Sequence, residues 1–212
     1  MPFIVFEGLD GSGKSSLMTA LEKELVSHTT RVMRTREPGG TPLGDEIRNM
    51  ILRTEGAAPT PRTELLLYEA SRAQHVDLVI RPALQKNQWV LCDRFTASSV
   101  AFQASGRKIS EEWVERLNEF ATDGVNPDLT VLLDLSVEES RRRRNYRESF
   151  AGNKEDRIES EADSFHERVR NSFLRQAEQN RQKWLVLDAG KTPDQLLQQL
   201  LTHLRGLRWL SL

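Results

Sequence analysis

Eight residues near the start of the chain, Gly8-Leu9-Asp10-Gly11-Ser12-Gly13-Lys14-Ser15, constrain its fold more than any other feature. They fit the spacing Gly-x4-Gly-Lys-Ser/Thr. The apolar run Phe3-Ile4-Val5-Phe6 precedes them, and a helical stretch from Ser16 to about Val26 follows. A strand that ends in a glycine loop and re-enters a helix gathers backbone N–H groups and the positive end of a helix dipole around one point. Such a nest holds phosphate oxygens. Within it, Lys14 reaches the β- and γ-phosphates of a nucleotide and Ser15 ligates Mg²⁺. The loop therefore implies a nucleotide and magnesium. It leaves kinase, GTPase and motor all open.

The rest of the chain is read as an α/β fold. Short apolar or β-branched runs recur at Phe3–Phe6, Val32–Thr35, Trp89–Cys92, Leu129–Leu133 and Trp184–Leu187. Helical pattern separates them, near Gly13–Ser27, Leu43–Arg53, Thr63–Lys86, Glu111–Thr122, Val137–Arg147, Ala162–Arg181 and Asp194–Leu207. This alternation predicts a five-stranded parallel sheet flanked by helices on both faces, the P-loop NTPase architecture. Ser110 before Glu111-Glu112, and Thr192-Pro193, mark helix starts. Pro82 is expected to interrupt or kink the third helix. Arg147–Glu161 is poor in apolar residues, dense in charge, and carries Gly152 and Asn153. It reads as a mobile surface loop.

Length and composition bound the functional classes. A chain of 212 residues is one domain, 1–212. The net charge of −1 argues against a nucleic-acid partner. No apolar run approaches a bilayer span, and the N-terminus lacks a basic, cleavable leader, so neither membrane nor export is expected. Cys92 is the sole cysteine and lies in an apolar strand, which excludes a disulfide framework and reads as a buried, inert thiol. A cytoplasmic location is the expectation.

In parallel α/β sheets ligands bind at the carboxyl ends of strands. All five runs here lead into polar or glycine-rich chemistry: the glycine loop, Arg36-Glu37-Pro38-Gly39-Gly40-Thr41, Asp93-Arg94-Phe95, Asp134, and Asp188-Ala189-Gly190-Lys191. Asp93 can hold Mg²⁺ through water, and Arg94 can clamp a phosphate with its planar fork. Arg48 lies in the helix after Arg36 and Glu37. Tyr68 and Arg72, four apart, share a helix face. They form either a base-binding pair or a core tyrosine beside a solvated arginine. Arg141-Arg142-Arg143-Arg144 with Arg147 is the densest cluster of positive charge. It reads as a solvated helix end, as a nucleic-acid patch, or as a source of phosphoryl-neutralising arginines, with Arg157 across the loop as a further candidate. His28, His75, His166 and His203 lack ligand spacing and read as non-catalytic. Asn153-Lys154-Glu155-Asp156 matches a guanine-reading string but lies in the polar loop, not at a strand end, and is taken as coincidence.

With these residues in view, the chain closely resembles the thymidylate kinase family, bacterial members in particular. The similarity runs from Phe3 to about Gln195. It is carried by the ordered set Phe3–Gly8, Thr35–Thr41, Leu67-Tyr68-Glu69-Ala70-Ser71-Arg72, Asp93-Arg94-Phe95, Pro127-Asp128-Leu129 and Asp156-Arg157-Ile158-Glu159. The resemblance implies phosphorylation of dTMP to dTDP by MgATP, in dTTP biosynthesis, by a nucleoside monophosphate kinase with a mobile lid at about 147–161. It implies ATP bound by Gly8, Asp10, Gly11, Ser12, Gly13, Lys14, Ser15 and Ser16, with Arg143 stacked on adenine and the loop after Asp188 bordering it. For dTMP it implies Asp10 at the 3′-hydroxyl, Arg36, Arg48 and Arg94 around the acceptor phosphate, and Glu37 positioning it. Tyr68 would stack on thymine, Arg72 would donate to a thymine carbonyl, Ser99 and Gln103 would meet the other polar edge, and Phe102 would crowd the 2′ position. Some relatives carry an arginine within the glycine loop, where this chain has Gly11. The chain thus resembles the variant whose catalytic arginine comes from the lid: besides Lys14 and Arg94, Arg147 or Arg157, with Arg144 also in range. A homodimer is implied by the family. The apolar tail Leu204–Leu212, with Trp209, is expected to pack on the body or on a partner subunit. The rival readings are another P-loop nucleotide or nucleoside kinase, and a nucleotide-gated binding module.

Overall fold

The computed structural model describes residues 1–28, 30–151 and 155–210. Five parallel strands, β1 (Phe3–Glu7), β2 (Val32–Arg36), β3 (Trp89–Asp93), β4 (Leu129–Asp134) and β5 (Trp184–Asp188), form one sheet in the order β2-β3-β1-β4-β5. The pairing β1–β3 runs from Phe3↔Val90 to Phe6↔Asp93, and β1–β4 from Ile4↔Leu129 to Glu7↔Leu132. The chain leaves central β1 toward β2 on one side and later reaches β4 and β5 on the other. A crevice therefore opens at the carboxyl ends of the strands.

Side-chain alternation sends the strands' apolar residues to both faces. Ile4 and Phe6 pack with Leu17, Met18, Leu21 and Leu25 of α1 (Lys14–Ser27) and with Leu196, Leu200 and Leu204 of α9 (Pro193–Gly206). Phe3 and Val5 pack on the other face with Val76, Ile80, Ala83 and Phe95. On that face too, Leu132 meets Phe165, Val169 and Phe173 of α8 (Asp163–Gln179). The remaining helices are α2 (Pro42–Leu52), α3 (Pro61–His75), α4 (Arg81–Gln85), α5 (Thr96–Ser99), α6 (Glu111–Thr122) and α7 (Val137–Ala151).

Several local expectations are refined. The third helix is interrupted just before Pro82, as expected: α3 passes into α4 through a π-helical segment, Val76–Ile80. The widened turn before Pro82 absorbs the mismatch that its missing N–H and its ring create. A helical run at Thr96–Gly106, α5 continuing into a π-helical Val100–Gly106, had no counterpart in the sequence reading. Its Thr-Ala-Ser-Ser start has weak helix propensity, and a π turn breaks the 3.6 period. Helix α7 continues to Ala151, four residues past the expected Arg147, and its Arg144 and Arg147 pair with Glu155 and Glu159. Of the expected surface loop Arg147–Glu161, the first residues are thus helical, and Ile158 and Glu159 are buried. Residues 152–154, including Asn153 and Lys154 of the guanine-like string, lie outside the described residues. Thr192 forms a full capping box with Gln195. In the tail, Trp209 meets Trp89 edge-on, 6.2 Å between centroids, so this part of it packs on the body. No helix among the described residues is long and apolar enough to cross a membrane.

Candidate active site

The glycine loop forms as the sequence requires. Gly8 adopts φ 137°, and a Cβ there would lie 2.5 Å from the Leu133 carbonyl oxygen, so only glycine fits between β1 and β4. Lys14 Nζ donates to the carbonyls of Gly8 and Leu9, each at 3.1 Å, which folds the loop around the ammonium. Burial lowers its pKa, as does nearby Arg94, while Asp10, Asp93 and Glu7 oppose. Ser15 Oγ donates to Asp93 Oδ2 at 3.3 Å, and Asp93 Oδ1 is buried without a hydrogen-bond partner among the described residues. A hydroxyl beside an orphaned carboxylate oxygen fits a hydrated Mg²⁺, which prefers few protein oxygens and keeps water and phosphate for the rest.

Arg94 follows β3 in the left-handed region, φ 70°, a conformation that costs a non-glycine residue energy. Its surroundings hold it there. The backbone N–H donates to Phe6 O at 3.0 Å, Nη2 to Asp10 Oδ1 at 2.9 Å, and Nη1 to Ser98 Oγ at 3.3 Å. The guanidinium lies 5.0 Å from the Phe102 ring centre. Below it is Glu7, the fully buried end of β1, which accepts from Phe95 N at 3.0 Å and Ser98 Oγ at 2.7 Å. Burial lifts the Glu7 carboxyl from 4.5 to about 7, against the lowering pull of Arg94 and these hydrogen bonds. Burial would also raise Asp10, but the Arg94 and Lys14 charges outweigh it and hold that carboxyl well below its ordinary range.

Two adjoining cavities open at this edge. One is lined by Gly11, Gly13, Lys14, Ser15, Ser16, Arg36, Asp93, Arg143 and Arg147. The other is lined by Pro38, Leu52, Tyr68, Arg72, Phe95, Ser99, Phe102, Gln103, Asp156 and Ile158. Asp10, Glu37, Arg48 and Arg94 border both. The first is a cationic bay on a phosphate nest; the second is a half-apolar slot with an aromatic ring and convergent polar groups.

The slot is built on buried charge. Arg72 is only 2% exposed, which overturns the alternative of a solvated arginine. Its Nε donates to Glu37 Oε2 at 2.8 Å, and its Nη1 faces Glu69 Oε1 at 2.6 Å, Asn118 Oδ1 at 2.7 Å and Ser99 Oγ at 3.0 Å. Burial opposes its charge, but the Glu37 and Glu69 carboxylates more than compensate and raise its pKa. His75 bridges Glu37 Oε1 at 2.9 Å and Thr35 Oγ1 at 2.6 Å. Its ring needs Gly40 opposite: at φ 79° a Cβ there would sit 2.8 Å from it. Phe102 packs on Phe165 and Phe173, with centroids 6.1 and 6.2 Å away. Gln103 is buried and donates through Nε2 to Glu64 Oε1 at 3.0 Å.

The outer arginines are held more loosely. Arg36 reaches Asp45 at 3.4 Å and is over half exposed; Arg48 donates to Pro38 O at 3.2 Å. Arg143 spans Gly11 O at 3.2 Å and Ala189 O at 3.0 Å, linking the glycine loop to the turn after β5. Arg147 borders the cationic bay and pairs with Glu159 at 2.5 Å. Arg157 lines neither cavity; it donates to Ile51 O at 2.9 Å and Glu64 Oε2 at 2.6 Å. The structure therefore brings Arg147, and not Arg157, to the bay. The sequence reading missed Glu7, Glu64, Glu69 and Asn118. Glu64, Tyr68 and Arg72 recur every four residues on one face of α3, a signal that was available.

A glycine loop closed on a lysine, a serine–aspartate pair, and a second slot for an acceptor define a nucleotide-dependent phosphotransferase of the P-loop class. The sequence model of the thymidylate kinase family matches residues 6–200, and the chain belongs to that family. It is 70% identical over 204 residues to the thymidylate kinase of Bdellovibrio bacteriovorus, covering 96% of this chain and 95% of that one. It is 45% identical over 195 residues to the thymidylate kinase of Geotalea daltonii, 91% of each. Among solved structures, the thymidylate kinase of Ehrlichia chaffeensis superposes with a TM-score of 0.75 at 30% identity, covering 96% of this chain and 98% of that one.

Proposed function

We propose that this protein transfers the γ-phosphoryl group of ATP to dTMP, yielding dTDP and ADP for dTTP synthesis. The observation that carries the reading is the pair of adjoining cavities sharing Asp10, Glu37, Arg48 and Arg94. ATP lies along the glycine loop from Gly8 to Ser16, its adenine against Arg143. Ser15 and Asp93 would hold Mg²⁺, which when bound would neutralise charge on the β- and γ-phosphates. The dTMP base occupies the slot, stacked on Tyr68 with Arg72, Ser99 and Gln103 at its polar edges and Phe102 against the 2′ carbon. Asp10 accepts from the 3′-hydroxyl with Oδ2, since Oδ1 already takes Arg94.

The acceptor phosphate then sits among Arg36, Arg48 and Arg94, with an oxygen in line with the γ-phosphorus. That oxygen attacks, the bond to the β-phosphate oxygen breaks, and ADP leaves. Catalysis is positioning and charge neutralisation. Lys14 tracks the transferred group, and Arg147 supplies the lid charge. Arg157 reaches the bay only after releasing Glu64, so Arg147 is the stronger candidate. The segment 147–161 acts as the lid, excluding water.

The chain works in the cytoplasm as a homodimer. Leu43 and Met50 of α2, Leu66 of α3, and Trp113 and Phe120 of α6 are exposed on helices that pack side by side, a face suited to a second copy. ADP release with MgATP and a panel of dTMP, dUMP, UMP, dCMP, AMP and thymidine tests the reading. Fast turnover with dTMP, with dUMP behind, supports it. Turnover confined to another acceptor keeps the P-loop kinase and discards the base slot. Silence across the panel favours a nucleotide-binding module.

A further inference from the structure

The base slot ends in a buried carboxylate that does not line it. Glu64 is fully buried, and its Oε1 accepts from Gln103 Nε2 at 3.0 Å and Arg107 Nε at 3.1 Å, its Oε2 from Arg157 Nη2 at 2.6 Å. A carboxylate only accepts hydrogen bonds, so the amide of Gln103 must turn its NH₂ toward Glu64; the flipped amide would set oxygen against oxygen. Gln103 Oε1, without a hydrogen-bond partner among the described residues, is left to the slot. Opposite, Arg72 has committed Nε and Nη1 to protein acceptors, which leaves Nη2 to the slot as a donor. The polar edge thus presents one fixed acceptor and one fixed donor.

We propose that Glu64 is a specificity-positioning residue: by fixing the Gln103 amide it makes the slot accept a ring N–H flanked by a carbonyl, as in a pyrimidine-2,4-dione, and reject the 4-aminopyrimidine of cytosine. This rests on the acceptor reading above and deepens it. A 2,4-dione offers a carbonyl to Arg72 and an N–H to Gln103. Cytosine offers an amino group to the arginine and a bare ring nitrogen to the amide oxygen, two unpaired buried contacts at once. Arg107 and Arg157 supply the positive charge that pays for burying Glu64.

The test compares kcat/KM for dTMP and dCMP in the wild type, Glu64→Gln, Gln103→Leu and the double variant. A glutamine at 64 can donate as well as accept, which frees Gln103 to turn over. The dTMP:dCMP ratio should fall by about tenfold or more in Glu64→Gln. It should fall similarly in Gln103→Leu, and the Glu64 substitution should add nothing in the Gln103→Leu background. Equal losses for both substrates in Glu64→Gln, with the ratio unchanged, would overturn the proposal and leave Glu64 a packing group. If Glu64→Gln does not fold, Gln103→Leu still decides, since an intact ratio there removes the residue through which Glu64 acts. A wild type that does not turn over dTMP defeats the acceptor reading itself; turnover with unchanged ratios defeats only the role of Glu64.

Discussion

The two cavities share a wall but are built on opposite principles. In the base slot the inner charged side chains are buried and tied to protein groups: Arg72 engages four of them, and Glu37, Glu69 and Glu64 each accept from buried donors. In the phosphate bay two of the lining arginines are held, among the described residues, by one protein group each: Arg36, over half exposed, by Asp45, and Arg48 by Pro38 O. A rigid hydrogen-bonded frame discriminates because wrong groups leave its buried atoms unpaired. Loosely held guanidinium groups can follow charge as it moves from ATP to the acceptor, and long side chains in water cost little to rearrange. Selectivity is preorganised on one side of Arg94, and adjustability is kept on the other.

The hardest blow to this contrast comes at Lys14, a cation buried within the bay. Lys14→Ala should lower kcat by about a thousandfold, the scale of losing a preorganised charge at the transferring group. Rates within about tenfold of wild type, measured as ADP formation, would remove Lys14 from the mechanism. The lid arginines sharpen the distinction between bay and anchor. Arg147→Ala should cut kcat by about a hundredfold with little change in KM for dTMP. Arg157→Ala should lower kcat by only about tenfold, because its contacts are Glu64 and Ile51 O. The reverse ranking in steady-state kinetics would hand the catalytic role to Arg157.

Glu7 lies beneath the shared wall and gives a pH signature. Its pKa is raised from 4.5 to about 7 in the fold, so the folded state holds the proton more tightly than the unfolded chain. Its contribution to stability is complete below the unfolded value and is lost as pH rises through about 7. Thermal melts of Glu7→Gln should therefore show a flatter fall in Tm across that window than the wild type; identical slopes would mean that Glu7 ionises freely. The mildest change is Tyr68→Phe. The ring lines the slot, and its hydroxyl makes no hydrogen bond with the described residues, so KM for dTMP should move by less than about threefold. A larger shift would show that the slot's polar frame extends to this hydroxyl.

Much of the phosphate side was legible in the sequence because its determinants are local. Glycines at fixed offsets, a lysine and a serine inside one turn, and charged residues closing apolar strands each act within a few residues of where they stand. The base side was less so. Tyr68 and Arg72 could be placed on one face of α3, yet whether that face met water or a core depended on Glu37 and Asn118, from β2's end and α6. The helical run at Thr96–Gly106 that carries Ser99, Phe102 and Gln103 was missed, since its π geometry hides the period by which helices are read.

By itself the sequence determined a parallel sheet and a phosphate-binding glycine loop that ends in Lys14-Ser15. Only the tertiary structure decided that Arg72 is buried, that Gln103 turns its oxygen to the slot, and that Arg147 rather than Arg157 stands at the bay. The division is physical. Local backbone geometry follows from steric preferences within a turn, whereas the role of a charged side chain is set by burial and by partners that the fold brings from far along the chain.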